Sequence, residues 1–215
     1  MKQTHRTLFF DPRYITFIDI SSDCAVQAIK TISFENGQFE QGIICNPTHI
    51  GQLIEEWKRI NGSANITHII IKSPQAKEQF FFLSSHNATR QEIPIPFSHD
   101  QIVAYKYVYA HDQQYCYYSC TISRLILLQY TLLAEKHDFF IETITSSTNA
   151  LLDAYKKMYG PVFRETQLGI DMLKYNNQVE YLLNKEMVSR VLKLNRHVIS
   201  HEQCIPLLTA YGCIK

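Results

Sequence analysis

The residues with the clearest chemical potential lie close together near the start of the chain. Asp19 ends a β-branched and aromatic run, and Ser21, Ser22 and Asp23 follow it in a turn. A carboxylate at a strand end suits two-metal chemistry, which needs several carboxylates within about 4 Å of paired ions. Asp23 and Asp171 could contribute, but no glutamate lies usefully in the strand that follows the first helix. A turn aspartate in contact with water explains Asp19 at least as well as a metal ligand does.

A second group of metal-binding residue types lies near the end of the sequence. His197, His201 and Cys204 would share one face of a helix, and Cys213 could supply a fourth zinc ligand. Zinc sites usually show CxxC pairs, and Ser200 directly before His201 is typical of a helix N-cap that would break the shared face. The spacing therefore favours a capped helix start with a buried thiol over a zinc site.

Tyrosine is concentrated in two alternating runs in the middle of the chain. The six residues are Tyr105, Tyr107, Tyr109, Tyr115, Tyr117 and Tyr118. Aromatic platforms that stack on single-stranded nucleic acid are interleaved with basic residues, and Lys106 is the only basic residue here. Cross-strand aromatic packing, partly exposed for a peptide partner, is the stronger interpretation. Cys116 and Cys120 face one side of the second run about 13 Å apart, so we interpret them as core or groove thiols.

The composition excludes several broad classes of protein. The chain has 215 residues, 46% hydrophobic and 19% charged, with a net charge of +1, so no sequence-wide attraction to nucleic acid or anionic lipid is expected. Only seven glycines are present, which is few for phosphate-cradling loops. Leu8-Phe9-Phe10 is too short for a secretory signal, and the six cysteines lie in apolar stretches. The sequence predicts a cytoplasmic protein with reduced thiols.

Hydrophobic periodicity and turn residues predict an alternating α/β chain. The opening is predicted as strands at 14–20, 24–34 and 39–45, a helix from Asn46-Pro47 and a strand at 67–72. Further strands are predicted at 79–83 and 92–97, in a tyrosine hairpin, and at 139–144 and 166–172. Further helices are predicted at 122–137, from Ser146 or Ser147, at 184–194 and at 201–211. The opening order is β-β-β-α-β, an antiparallel meander followed by a crossover to a parallel strand.

This opening order is that of the ribonuclease-H-like fold, which actin-like ATPases share. More particularly, residues 14–160 resemble the first domain of the type IV pilus assembly protein PilM and its short competence-associated relatives. Asp19-Ile20-Ser21 stands at the family's Asp-x-Gly turn, and residues 79–118 are similar to its inserted subdomain. The resemblance implies an α/β fold with a ribonuclease-H-like, actin-like mixed sheet and an inserted α+β subdomain. It divides the chain into a first core part (1–78), the insert (79–138) and the remaining core with a shortened C-terminal half (139–215).

The departures from the family pattern concern the nucleotide site. Ser21 replaces the family glycine, and in the nearest candidate for a second Asp-x-Gly, Asp171-Met172-Leu173, leucine fills the glycine position. The sequence contains no Gly-Gly pair for an adenosine contact. The resemblance therefore implies that Asp19, Ser21 and Ser22 are the cofactor-binding residues of a degenerate site. We expect no cofactor, or weak ATP and Mg²⁺ binding without efficient hydrolysis, and we assign no catalytic or metal-binding residue.

The resemblance further implies a function in protein–protein interaction. Family members capture the N-terminal peptide of an inner-membrane pilus assembly protein in the cleft between the main subdomain and the insert. The expected function is thus a cytoplasmic adaptor of a type IV pilus or related secretion or competence apparatus, a pseudo-ATPase at the inner face of the inner membrane through its partner. No nucleic-acid partner is expected, and self-association is left open. The alternative functions are a weak actin-like ATPase and a ribonuclease-H-like nuclease.

Overall fold

The computed structural model describes residues 3–35, 37–64, 66–87, 89, 92, 94, 98–111, 113–160 and 185–214. A mixed five-stranded sheet forms its centre, in the order β10-β6-β1-β2-β3. These strands are β1 (Thr4–Asp11), β2 (Tyr14–Ser21), β3 (Val26–Ser33), β6 (Ile66–Ile71) and β10 (Ile141–Ser146). β1 pairs antiparallel with β2 and parallel with β6, and β10 pairs parallel with β6. This mixed sheet is the arrangement that the predicted fold class requires.

The order of the opening meander corrects the sequence prediction. The run at 14–20, predicted as the first strand, is the second, because Thr4–Asp11 forms the central strand before it. The segment 39–45, predicted as one strand, is a small ribbon of β4 (Phe39–Glu40) and β5 (Ile43–Ile44). Between them, Gln41 and Gly42 have φ of 51° and 92°, and two consecutive positive φ values reverse the chain as in a type I′ turn.

Within the described part of the chain, five helices cover the central sheet. They are α1 (Pro47–Asn61), α2 (Arg124–Lys136), α3 (Ser147–Tyr159), α4 (Lys185–Val191) and α5 (Cys204–Cys213), the last preceded by a 3-10 turn at His201–Gln203. Two of them start where the sequence predicts and are capped there: Asn46 accepts a hydrogen bond from the His49 N–H at α1, and Ser146 accepts one from the Asn149 N–H at α3. None of the helices in the described ranges is long and apolar enough to cross a membrane.

The core is divided between the two faces of the sheet. Since alternate residues of a strand point to opposite faces, Leu8 and Phe10 pack with α1 and α2, whereas Phe9 packs toward Ala150 of α3. α3 and α5 approach so closely that a Cβ on Gly212 would lie 2.1 Å from the Ala150 carbonyl oxygen. The result is a three-layer α/β arrangement with α1 and α2 on one side and α3 to α5 on the other.

A separate three-stranded antiparallel sheet lies between β6 and α2 in the chain. Its order is β7-β9-β8, from β7 (Lys77–Leu83), β8 (Gln101–His111) and β9 (Gln114–Ser123). The predicted tyrosine hairpin is confirmed as β8–β9, and Tyr107 and Tyr117 are cross-strand partners with ring centroids 6.0 Å apart. The predicted strand at 166–172 lies outside the described residues, as does most of that at 92–97.

Candidate functional site

A cleft of about 190 Å³ lies where the five-stranded and three-stranded sheets meet. The main sheet and its helices contribute Ile71, Leu127, Ile144, Thr145, Ser146 and Asn149, and the smaller sheet contributes Ile102, Ala104, Tyr105, Lys106, Tyr118, Cys120 and Ile122. Aliphatic and aromatic carbon dominates this lining. The volume suits a large apolar side chain better than a whole cofactor.

A buried hydrogen-bond network fixes one wall of the cleft. The Tyr118 hydroxyl lies 2.7 Å from Ser146 Oγ and donates to the Glu78 carboxylate. Thr148 Oγ1 donates to the same carboxylate over 2.8 Å, at the start of α3. Burial raises the pKa of Tyr118, and the neighbouring Glu78 charge raises it further. The phenol therefore stays protonated and acts as the hydrogen-bond donor. The network joins β7 and β9 to the N-terminus of α3 and holds the cleft open in one geometry.

One lysine, Lys106, lines the cleft, and Lys156 and Lys157 line a second cavity beside it. Lys106 donates to Asp153 over 2.7 Å and to the Asn149 carbonyl, and Lys156 donates to the carbonyl of Tyr107 over 2.8 Å. Burial lowers the pKa of Lys106, of Lys156 and of Lys157, and the Lys106 charge lowers that of Lys156 further. The second cavity, of about 420 Å³, shares Thr145 and Asn149 with the cleft and also contains Asp153. The cleft is therefore apolar at the Ile102 end, and Lys106 lies at the end next to this cavity, paired with Asp153.

The cysteines near the groove behave as apolar side chains. Burial raises the pKa of Cys120, in the cleft, and of Cys213, in the second cavity, each to about 12. Burial also raises the pKa of the core residue Cys116 to about 12. A thiol with such a pKa stays protonated near neutrality and is a poor nucleophile. The interpretation of Cys116 and Cys120 as core and groove thiols is confirmed.

The predicted cofactor residues Asp19, Ser21 and Ser22 lie at the opposite end of the sheet, around the β2–β3 turn. Asp19 is buried and accepts two hydrogen bonds of 2.8 Å from Arg6 and one of 3.2 Å from the Trp57 indole. Ser21 Oγ donates to Asp23 over 2.6 Å, and Ser22 is exposed. No observation tests nucleotide contact by these three residues, which stays a prediction, but the Asp19 oxygens already have structural partners.

The carboxylate at the β1–β2 turn is Asp11, which the sequence analysis missed. Asp11 is buried, accepts from the Arg13 backbone N–H over 3.0 Å, and lies 3.5 Å from the Lys72 ammonium group. The signal was available in the sequence, because Asp-Pro follows the apolar run Leu8-Phe9-Phe10 as a strand end and turn would.

The other chemically suggestive residues have structural environments. In the described ranges, no group of three or more His, Cys, Asp or Glu side chains is arranged to hold a metal ion. The Ser200 N–H donates to the Gln203 side chain over 3.0 Å, and Cys204 is buried, so the predicted capped helix start is confirmed. Tyr105 and Tyr107 are 43% and 37% exposed, which leaves aromatic surface beside the cleft.

Comparison with known proteins supports the fold. No protein-family model and no curated protein matches the sequence. A chain of the PilM-PilN type IV pilus biogenesis complex matches with a TM-score of 0.58 at 10% identity, over 71% of this chain and 50% of that one. The cytoplasmic domain of EpsL, an inner-membrane component of the type II secretion system of Vibrio cholerae, matches with a TM-score of 0.45 at 9% identity, over 69% and 57%. A Bacteroides thetaiotaomicron protein of unknown function with an actin-like ATPase fold also gives 0.45, at 13% identity over 73% and 57%.

The chain thus spans about half the length of the PilM-PilN complex chain that it matches. At this level of identity the likeness concerns the fold alone. Together with the strand order β10-β6-β1-β2-β3, it confirms the predicted α/β class, an actin-like mixed sheet.

Proposed function

We propose that this chain is a cytoplasmic adaptor of a type IV pilus or related secretion or competence apparatus. In this proposal it binds a short extended peptide from the N-terminus of an inner-membrane partner and reaches the membrane only through that partner. The observation that carries the proposal is the preformed apolar cleft between the two sheets. A rigid groove of this kind recognises a peptide by accepting one or two side chains while the peptide backbone stays extended.

The walls of the cleft support peptide binding over small-molecule chemistry. The polar network of Glu78, Tyr118 and Ser146 is internally satisfied, and the Cys120 thiol is held protonated. Lys106, which also lines the cleft, is paired with Asp153, so it is not a free general base. Exposed Tyr105 borders the opening, and tyrosine supplies large contact area at interfaces with little loss of side-chain entropy.

The test is fluorescence anisotropy with labelled synthetic peptides that copy the cytoplasmic N-termini of single-span membrane proteins of the same cell. The PilN N-terminal peptide serves as a reference probe. We expect one peptide to bind with a micromolar Kd and Ile102→Asp, which places a charge in the apolar end, to weaken binding at least about tenfold. Ile60→Asp is the matched control, because Ile60 is 59% exposed on α1 and lies outside the cleft. If no peptide binds, or if both variants bind alike, the proposal is wrong.

We also propose that the nucleotide site is degenerate. In support, Asp19 of the predicted site is buried against Arg6. Asp11, at the β1–β2 turn at the other end of the sheet, is likewise buried and paired with Arg13 and Lys72. Both carboxylates are thereby neutralised by side chains of the chain itself. Calorimetric titration of folded protein with ATP and Mg²⁺ should give no heat of binding. A micromolar, Mg²⁺-dependent site would overturn this part of the proposal and favour a nucleotide-switched assembly factor.

A further inference from the structure

Helix α2 exposes a row of leucines on the side that faces away from the sheet. Leu125, Leu128 and Leu132 are 75%, 51% and 54% exposed, and we call them the leucine stripe. The opposite side of the same helix is buried through Ile126 and Leu133. A surface helix normally carries polar residues on its outer face, so apolar residues on both sides indicate a second contact.

The spacing of the stripe is that of a helix–helix seam. Residues 125, 128 and 132 follow the three-then-four spacing that places side chains at successive a and d positions. Ile43, 45% exposed, widens the apolar surface from the β4–β5 ribbon. Gln129 of α2 secures that ribbon, since its side chain donates to the Gly42 carbonyl over 2.6 Å and accepts from the Ile44 N–H over 2.7 Å.

The charged residues beside the stripe would meet residues of opposite charge in a second copy of the helix that is related to the first by a two-fold rotation. At 100° per residue, Arg124 at the start of α2 and Glu135 near its end lie on one flank of the stripe, while Lys136 lies on the other. Two antiparallel copies of a helix related by a two-fold axis place the same flank of each against the other. Arg124 of each copy would then meet Glu135 of the other, outside a central layer of Leu128 against Leu132.

We propose that the leucine stripe is a homodimer interface, in which α2 packs antiparallel against α2 of a second copy of this chain. Arg124 is available for this contact: its Nε donates to the His99 carbonyl over 3.0 Å, and its two terminal amino groups, which have no partner among the residues that the structure describes, can reach a carboxylate. Glu135 is exposed and has no ion pair within the described ranges. Because this charge pattern matches its own copy, it favours a second copy of this chain as the partner. Binding to a helix of a different protein would not require such a symmetric pattern.

Sedimentation velocity over roughly 1–100 µM protein tests the interface. We expect a reversible monomer–dimer equilibrium that Leu128→Gln shifts fully to monomer in this range. Val198→Gln is the matched control, because Val198 is 94% exposed and lies far from α2 in the chain. Both residues are exposed, so neither change is expected to disturb folding, which circular dichroism would verify.

Charge reversal distinguishes the antiparallel second copy from other contacts. We expect Arg124→Glu and Glu135→Arg each to weaken dimerisation about tenfold, since each change replaces two symmetric attractions with repulsions. The double variant should restore the dimer, because the two charges are exchanged within the same pair. A wild-type chain that stays monomeric throughout, as it would if the stripe takes a different partner, overturns the proposal. So does a double variant that remains as weak as the singles.

Discussion

The buried ion pair between Arg6 and Asp19 allows a quantitative test of what Asp19 contributes. The two side chains are only 5% and 3% exposed and share two hydrogen bonds of 2.8 Å. Arg6 also donates to the Gly62 carbonyl over 2.9 Å. Removing one partner leaves the other charge buried, which costs about 3–5 kcal/mol. We expect Arg6→Met to lower the free energy of unfolding by that amount.

Removing both charges should cost less than removing one. Replacing a whole buried ion pair by apolar residues of similar size is often close to neutral, so the variant Arg6→Met with Asp19→Leu should be more stable than Arg6→Met alone. Its main remaining loss should come from the Trp57 indole N–H, which donates to Asp19 over 3.2 Å and would lose its acceptor. An unsatisfied buried donor costs about 1–3 kcal/mol.

The assay is urea unfolding followed by tryptophan fluorescence. Trp57 is the only tryptophan of the chain and stacks on Phe17 with ring centroids 5.2 Å apart, so its emission reports directly on this part of the core. The control is Arg190→Met, which removes an exposed pair with Glu186 and should cost less than about 1 kcal/mol. If Arg6→Met costs no more than this control, or if the double variant is no more stable than Arg6→Met, then Asp19 is not held by a structural ion pair.

Three further measurements follow from the packing and the pKa shifts. Gly212→Ala should cost about 1–3 kcal/mol or more in the same urea assay, because the added Cβ meets the Ala150 carbonyl at 2.1 Å; an unchanged midpoint would contradict the close helix contact. Burial lowers the pKa of His5 below 6.5, so below that pH the unfolded chain binds a proton that the folded chain resists. The contribution of His5 to stability should be constant well above pH 6.5 and should fall as the pH drops below it. Urea titrations in which His5→Gln keeps the wild-type slope below pH 6.5 would refute this. A thiol reagent at about pH 8 should modify exposed Cys45 before Cys120, whose pKa burial raises to about 12, and mass-spectrometric mapping that finds the reverse order would disprove the assignment.

Local signals in the sequence were sufficient for most of the helices. Asn46-Pro47 marks the start of α1, and Ile50, Ile54 and Trp57 recur at the spacing of one helix face that the structure buries. The Ser146 cap of α3 was predicted in the same way. In each case the cap and the apolar spacing lie within a few residues of each other, so a short stretch of sequence is enough to predict where the helix starts and which face it buries.

The misplaced strand shows where local reasoning fails. Thr4–Asp11 contains Thr4, His5, Arg6 and Thr7 before its apolar half, so it lacks the alternation of an ordinary strand. His5, Arg6 and Thr7 are nevertheless buried, and two of them have partners across the sheet: Arg6 has Asp19, and His5 lies 3.2 Å from a ring nitrogen of His68. Such pairs are separated by 13 and 63 residues, and no window of the sequence shows them.

The cleft depends on even more distant pairs. Lys106 reaches Asp153 across 47 residues, and Tyr118 reaches Ser146 across 28. The resemblance to a known family indicated a groove between the main sheet and the insert, but the identity of its lining residues follows only from how the second sheet is seated on α3. The leucine stripe was visible as an apolar helix in the sequence, yet its exposure depends on which face of α2 the sheet buries.

The cleft and the leucine stripe both involve α2, and the packing predicts that they function independently. Leu127 lines the cleft, Leu128 belongs to the stripe, and the buried residues Ile126, Tyr130 and Leu133 fix the helix between them. The cleft lining and the stripe share no residue, so a substitution in one leaves the contacts of the other in place. Ile102→Asp should therefore weaken peptide binding without changing the monomer–dimer equilibrium, and Leu128→Gln should do the reverse.

Any coupling between the two surfaces must be reciprocal, so a peptide that tightens the dimer would itself bind more tightly to the dimer by the same factor. Sedimentation with and without saturating peptide measures that factor, and a value far from one would show that α2 moves.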